Sequence, residues 1–369
     1  MRVLVKVPLS PYSGYGRDGI GIVRALIRWG ADVYIEPMAV QAPLPEDVAL
    51  LLTKPLEAPF DLVIVHVDPM ALEASPELRR SAPMVVGWTM WESSNFGNLS
   101  GRSSLRKRLK GFDTVIGYDE VSSDCLRPYT NKPILTLQGG FDPEDWPKVE
   151  RDWTGERFSF AMVGQLHDRK SPFVSIKAFQ ELKAEYPEEF EPAELHLKNS
   201  LRTLHPKLEE IIPKCRVHYA VWPNEILREF YTSQHVLLAP SKGEGKNMPA
   251  LEFQSTGGTV IATNWGGHRG WLNPDYNYAL NYTLRPVDPK HPNTFNAHAD
   301  VAHLKELMLH IFRNRSEVKL KGDMAAQIIP QLASWDNVIE RLFLRLADNV
   351  EGGKALFAKA QSCRIGRES

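Results

Sequence analysis

Short apolar runs alternate with helix-period segments along most of this chain. Arg2–Leu9 reads as a first strand. The next stretch places Ile20, Val23, Leu26 and Ile27 on one helical face, with Gly30 as a stop. Further β-rich runs follow at "ADVYIEP", "FDLVIVHV", "APMVVGW", "FDTVIGY" and "KPILTL". "GGFDPEDWPKVERDWTGE" has no periodicity and reads as a linker. A second series then begins at "RFSFAMVG" and runs through "AELHLKN", "CRVHYAV", "HVLLAPS" and "TVIATNWG", with helical segments after several of these strands. Beyond "YNYALNY" the pattern is helical. The final stretch, 351–369, has weak periodicity and reads as a loosely held tail. Strands alternating with helices predict α/β architecture with mostly parallel sheets. The chain divides into two doubly wound, Rossmann-like domains, 1–145 and 146–330, followed by a terminal helix over 331–350. In such sheets ligands bind beyond the carboxyl ends of the strands, so the loops after strands are the places to look for chemistry, on two domains facing a central cleft.

Bulk properties narrow the class without naming it. With 369 residues and a formal charge of −1, nothing global argues for nucleic acid. The opening "MRVLVKVPLSPYSG" lacks the apolar core of a signal peptide, and no run is long enough to span a membrane. Cys125, Cys215 and Cys363 are far apart and lack metal-ligand spacing, which suits reduced thiols in a cytoplasmic setting. The basic run Arg102, Arg106, Lys107, Arg108 and Lys110 is either one solvated helix face or a peripheral contact with an anionic membrane.

Three loops carry candidate chemistry. Gly14, Tyr15 and Gly16, with Gly19, formally match a dinucleotide fingerprint, and Glu36 stands where a ribose-binding acid would. That supports an NAD-type oxidoreductase as the rival reading. Pro8, Pro11 and other residues separate the strand from Gly14, however, which favours a glycine-rich turn near a phosphate or substrate. In "VGQLHDRKSPFV", Ser171 reads as an N-cap and Pro172 as the first helical residue, so Arg169 and Lys170 flank helix amides suited to an anion. A solvated basic corner is the bland alternative. In "PSKGEGKNMPALEFQSTGG", Glu244 lies in a loop and Glu252 in the first turn of a helix begun at Pro249. Two carboxylates there suit hydroxyl-rich ligands, although a loop charge and a helix-dipole acid would look the same.

That last stretch resembles the signature of retaining GT-B glycosyltransferases, P-S-x-x-E-G-x-x-x-P-x-x-E followed by G-x-x-V-I-A-T-x-x-G-G. Pro240, Ser241, Glu244, Gly245, Pro249, Glu252, Gly257, Val260, Ile261, Gly266 and Gly267 fall in register. Gly164 with Lys170, "GGFD" at 139–142 and "SGYGR" are further landmarks in order. The resemblance implies a nucleoside-diphosphate sugar as donor substrate, no tightly bound cofactor and no metal. It assigns the ribose diol to Glu252, the diphosphate to Arg169 and Lys170, the sugar to Glu244, and sugar or phosphate to the amides of Asn247 and Met248. Gly164, Ser241 and Gly245 complete the donor set. It also implies that the terminal helix crosses back onto the N-terminal domain. Departures are Gln165 for the usual arginine, Lys246–Asn247 within the E-G-F-G position, and Gly270 for an acid. "WTMWESSNF" resembles a subgroup with W-E, which makes Glu92 the candidate for acceptor binding or proton handling. The acceptor, whether glycan, lipid, small molecule or protein, stays open. So do an epimerase or hydrolase, or a noncatalytic binder, on the same fold.

Overall fold

The computed structural model describes residues 1–97, 102–200 and 215–368. These form two compact units, Met1–Phe141 with Ala333–Ser369, and Asp142–Leu332.

In the first unit the elements are β1 (Arg2–Leu9), α1 (Gly14–Arg28), β2 (Asp32–Val40), α2 (Glu46–Leu51), β3 (Leu62–His66), α3 (Pro76–Ser81), β4 (Met84–Thr89), α4 (Arg102–Leu109), β5 (Thr114–Gly117), α5 (Glu120–Leu126) and β6 (Ile134–Thr136). The strands make one sheet in the order β2-β1-β3-β4-β5-β6, with every pairing parallel. β3 and β4 are buried at every position, as a strand covered on both faces must be. The chain leaves β1 toward β2 and returns on its other side as β3, so the switch in strand order lies between β1 and β3. Tyr15, just beyond β1, and His66, at the end of β3, meet there with ring centroids 5.2 Å apart.

The second unit repeats the plan with β7 (Phe158–Gly164), α6 (Pro172–Glu185), β8 (Ala193–Asn199), β9 (Arg216–Tyr219), α7 (Asn224–Thr232), β10 (Val236–Ala239), α8 (Met248–Ser255), β11 (Thr259–Thr263) and β12 (Tyr278–Leu280). Its parallel sheet runs β12-β11-β10-β7-β8-β9, which puts the switch between β7 and β10. An antiparallel ribbon, β13 (Tyr282–Pro286) with β14 (Phe295–Ala299), follows before α9 (Val301–Arg313) and α10 (Arg315–Ala333). The sequence pattern passes this ribbon over. β13 is largely exposed and its connection holds Pro289 and Pro292, so no apolar alternation marks it.

Two stretches differ from the sequence expectation. The supposed linker is packed into the second unit. Trp146 and Trp153 are buried, and Arg151 donates from Nε to Gln234 O at 2.7 Å and from Nη2 to Thr256 Oγ1 at 2.6 Å. The supposed tail is helix α12 (Gly353–Glu368), which follows α11 (Trp335–Asn349). Leu356 and Ala360 enter the first unit's core, Lys359 pairs with Asp61 at 2.7 Å, and Arg364 lies 4.6 Å from the Trp29 ring centroid. Few apolar positions suffice here because long cationic side chains supply the remaining contact.

α11 closes the first unit's core. Ser334 caps it by accepting from Asn337 N at 3.3 Å, and Trp335, Val338, Ile339, Leu342, Phe343 and Leu346 are all buried. Trp335 is 1 % exposed and lies edge-on to Trp88, with ring centroids 6.0 Å apart. Trp335→Ala should therefore destabilise the protein by about 3–5 kcal/mol, read as a lower urea midpoint. A change under about 1 kcal/mol would mean that the segment is not part of this core.

Candidate functional site: the loops at the switch point of the second unit

Because β7 and β10 are neighbours at the switch point, the loops that follow them are brought together although 70-odd residues separate them in sequence. The loop after β7 ends in a 3-10 turn, Asp168–Lys170. Ser171 then adopts φ 52°, ψ 46°: it holds the N-cap position that the sequence suggests, with Pro172 first in the helix, but its hydroxyl makes no capping bond. Ser171 N donates instead to Asp168 O at 3.0 Å, closing a tight turn that carries Arg169 and Lys170.

The loop after β10 ends at Asn247, also left-handed with φ 60°. Helix α8 begins at Met248, with Pro249 second and Glu252 fifth. Glu252 thus sits in the second turn, not the first, and a dipole account of it loses force because the effect fades beyond the first turn. Lys242 stitches the two loops together. Its amide donates to Arg169 O at 2.7 Å, and its Nζ lies 2.6 Å from Asp168 Oδ2. Lys242 O also accepts from Ala297 N at 2.9 Å, so β14 braces the same loop.

At the centre stands Glu244, 5 % exposed. Lys170 Nζ is 2.7 Å from Oε1, and Arg169 Nη1 is 3.1 Å from Oε2 and donates to Gly243 O at 2.5 Å. Burial alone would raise the Glu244 pKa, but the charges of Lys170 and Arg169 outweigh it and hold the carboxyl well below its usual range. The group is an anion at any working pH.

The segment after β11 clamps this loop from behind. Gly267 N donates to Glu244 O at 2.9 Å, and Trp271 Nε1 donates to Lys246 O at 2.6 Å. A Cβ at Gly267 would stand 1.9 Å from Gly245 O, so only glycine allows the approach. His268 is buried between Thr263 O, 2.9 Å from Nδ1, and the Asn247 amide, 3.0 Å from Nε2. Nδ1 is therefore the donor and Nε2 accepts from Asn247 Nδ2. Burial pushes the His268 pKa down to about 4, against an ordinary value of about 6.5. The unfolded chain then binds a proton more readily than the fold between those values, and stability falls as pH drops from about 6.5 toward 4. Urea midpoints at pH 7 and pH 5 should show this fall, and His268→Gln should make it shallower, leaving the share of other histidines that burial also holds down, His196 and His235 among them. An equally steep fall in that variant would assign it to other groups.

The structure thus joins Arg169, Lys170, Glu244, Gly245 and Asn247 in one corner. Gly164, at the end of β7, lies beside the Lys170 side chain, while Ser241 and Met248 are buried at the start and end of the loop. Glu252 is fully buried, and its Oε2 accepts from Tyr231 OH on α7 at 2.9 Å. Tyr231 was not singled out in the sequence, where it reads as one more apolar position of an amphipathic helix.

In the first unit, Gly14, Tyr15 and Gly16 form the first turn of α1 and not a loop. Ser13 caps that turn by accepting from Gly16 N at 3.1 Å. A Cβ at Gly16 would stand 2.5 Å from Ser10 N, so this glycine lets helix and strand end pack closely. Glu36 is engaged by Lys6 Nζ at 2.6 Å, which commits to an ion pair the acid that a dinucleotide ribose would need. Tyr15 OH donates to Met90 O at 3.0 Å, and burial drives its pKa far up, with Asp68 and Glu92 adding to the effect. Glu92 is half-buried on the segment after β4, where Trp91 N donates to Ser122 Oγ at 3.0 Å. His66 is a satisfied core histidine, with Nδ1 3.0 Å from Trp88 O and Nε2 3.3 Å from Tyr118 OH. Tyr118 in turn donates to the buried Asp18 at 2.7 Å. On α4, Leu105 and Leu109 face the core, while Arg106, Lys107 and Lys110, the last just past its end, are exposed.

Comparison with known proteins sets a family match to part of the chain beside this geometry. Residues 157–290 match the model for Glycosyl transferases group 1. A search of curated protein sequences finds no match. Among solved structures, sucrose-phosphate synthase from Thermosynechococcus elongatus superposes with a TM-score of 0.65 at 14% identity, covering 94% of this chain and 99% of that one. HepE from Anabaena, in a complex with UDP-glucose, gives 0.65 at 13% identity over 94% of this chain and 100% of that one. WaaG, a glycosyltransferase involved in lipopolysaccharide biosynthesis, gives 0.63 at 13% identity over 93% and 99%. The matched segment runs from β7 past β13 and contains the whole Arg169–Lys170–Glu244 corner, and the fold of both units is that of GT-B glycosyltransferases: residues 157–290 are a segment of the glycosyl transferases group 1 type, set in a chain of that fold.

Proposed function

We propose that this enzyme transfers a sugar from a nucleoside-diphosphate sugar to a hydroxyl acceptor, with retention at the anomeric carbon and without a metal ion. The observation that carries the reading is the pair of cations at the switch point, Lys170 and Arg169, fixed 2.7 Å and 3.1 Å from one buried carboxylate. Breaking the bond between the anomeric carbon and its phosphate oxygen leaves negative charge on the departing diphosphate. Preorganised cations in a site shielded from water stabilise that charge as it develops, and the barrier falls. In this reading Arg169 and Lys170 take the diphosphate, assisted by the amides of Asn247 and Met248. Gly164, Ser241 and Gly245 give close backbone approach, Glu252 holds the ribose diol, and Glu244 meets the sugar. Glu92, with the turn at Gly14, Tyr15 and Gly16, serves the acceptor. HepE's complexes with UDP and UDP-glucose make uridine donors the first to try.

None of the described helices is long and apolar enough to cross a membrane. We place the enzyme in the cytoplasm, with the exposed lysines and arginine at α4 available to a membrane surface if the acceptor is a lipid.

Incubation with a panel of nucleotide sugars and candidate acceptors should give transfer to an acceptor hydroxyl. A chelator should leave the rate within about twofold, because the two side-chain cations do the work that a divalent ion would do. Release of diphosphate that no acceptor stimulates would support a hydrolase in place of the transferase. Abolition by the chelator, with rescue by added divalent ion, would overturn metal independence.

A further inference from the structure

The carboxylate of Glu244 sits on the two cations to which the diphosphate is assigned. Lys170 Nζ and Arg169 Nη1 meet its separate oxygens at 2.7 Å and 3.1 Å, and its main chain is fixed at the carbonyl by Gly267 N at 2.9 Å. Nor are the cations at liberty to spread over two anions. Arg169 Nη1 also donates to Gly243 O, and Arg169 O accepts from Lys242 N, so the residue is held to the loop through its guanidinium and through its main chain. The backbone fixes the loop, whereas only side-chain torsions and ion pairs fix the carboxyl group.

We infer that Glu244 is an internal competitor for the diphosphate. Donor entry exchanges the carboxylate for phosphate oxygens on Lys170 and Arg169, and the displaced carboxylate turns to the sugar hydroxyls. The two cations stay paired throughout the exchange, while the buried carboxylate gives up two ion pairs for hydrogen bonds donated by the sugar hydroxyls, a cost that the incoming diphosphate must outweigh. The exchange also makes the corner selective. A bare phosphate or pyrophosphate must displace Glu244 and offers nothing in return, whereas a nucleotide sugar supplies hydroxyls for the carboxylate to accept from. Discrimination of this kind comes from a repulsive element built into the site as much as from an attractive one. Burial of the group strengthens the competition, since charges screened from water interact over short distances with little attenuation.

The inference rests on the diphosphate assignment above and predicts an effect of opposite sign from that of an ordinary binding residue. Inorganic pyrophosphate, titrated calorimetrically, should bind Glu244→Gln about tenfold more tightly than the wild type, because an anion 3 Å from the cations has been replaced by a neutral isostere of the same shape. The same variant should lose turnover with a nucleotide sugar. Glu244→Ala should tighten pyrophosphate as well, and it supplies the readout if the glutamine variant is poorly folded. Lys170→Met should abolish binding in either background. Pyrophosphate affinity that is unchanged or weaker in both Glu244 variants would overturn the inference. This outcome is separable from failure of the transferase reading, which would appear as absence of nucleotide-sugar turnover in the wild type whatever pyrophosphate does.

Discussion

Lys170→Met should lower turnover with the nucleotide-sugar donor roughly a hundredfold to a thousandfold, the scale seen when one preorganised stabiliser of developing charge is removed. The ammonium is a point charge at 2.7 Å from Glu244 on a side chain only 13% exposed, so water cannot replace it efficiently. Arg169 remains on the other carboxylate oxygen and preserves the loop's charge balance in part, which is why the fold should survive. The loss should fall on kcat more than on KM, since the leaving group carries more charge in the transition state than in the bound donor. Steady-state rates beside a thermal unfolding curve would check it. A variant that folds normally and turns over within a few-fold of wild type would remove Lys170 from the chemistry.

The second large effect concerns Glu252. Glu252→Gln should raise the donor KM about tenfold to a hundredfold with a smaller change in kcat, the value of one or two hydrogen bonds to a charged acceptor. Glutamine still offers an oxygen to Tyr231 OH, so the substitution isolates the charge from the packing. A donor lacking the ribose 2′-hydroxyl provides the sharper comparison. The wild type should bind it less well, and the variant should discriminate much less, because a coupled pair loses its interaction only once. Equal discrimination in both proteins would place the ribose elsewhere and leave Glu252 as Tyr231's structural partner.

Much of this site could be read from residue order because its chemistry is local. Gly30, φ 79°, follows α1 as the expected stop, and the strands Val236–Ala239 and Thr259–Thr263 lie where their apolar runs placed them. The spacing of Glu244, Gly245 and Glu252 marks the loop and the helix that follows it. What escaped depended on contacts between distant segments. Nothing in "GGHRGW" announces that Gly267, His268 and Trp271 each bond the 244–247 loop, since that follows from β11 lying beside β10. Ser171 stands at the cap position where serine is common, but its left-handed backbone belongs to the turn closed on Asp168 O, and no residue preference announces that. Trp146, Arg151 and Trp153 were lost in a charged, proline-bearing stretch whose few buried side chains have no period.

The corner formed by the turn after β7 and the loop after β10 must be an anion site for a nucleotide if the enzyme works as proposed. Calorimetric titration of UDP into the wild type and into Lys170→Met tests this most directly. We expect one saturable site per chain in the wild type and at least tenfold weaker binding in the variant. Equal affinity in the two proteins, or no saturable binding of UDP or of any other nucleoside diphosphate to the wild type, would contradict it.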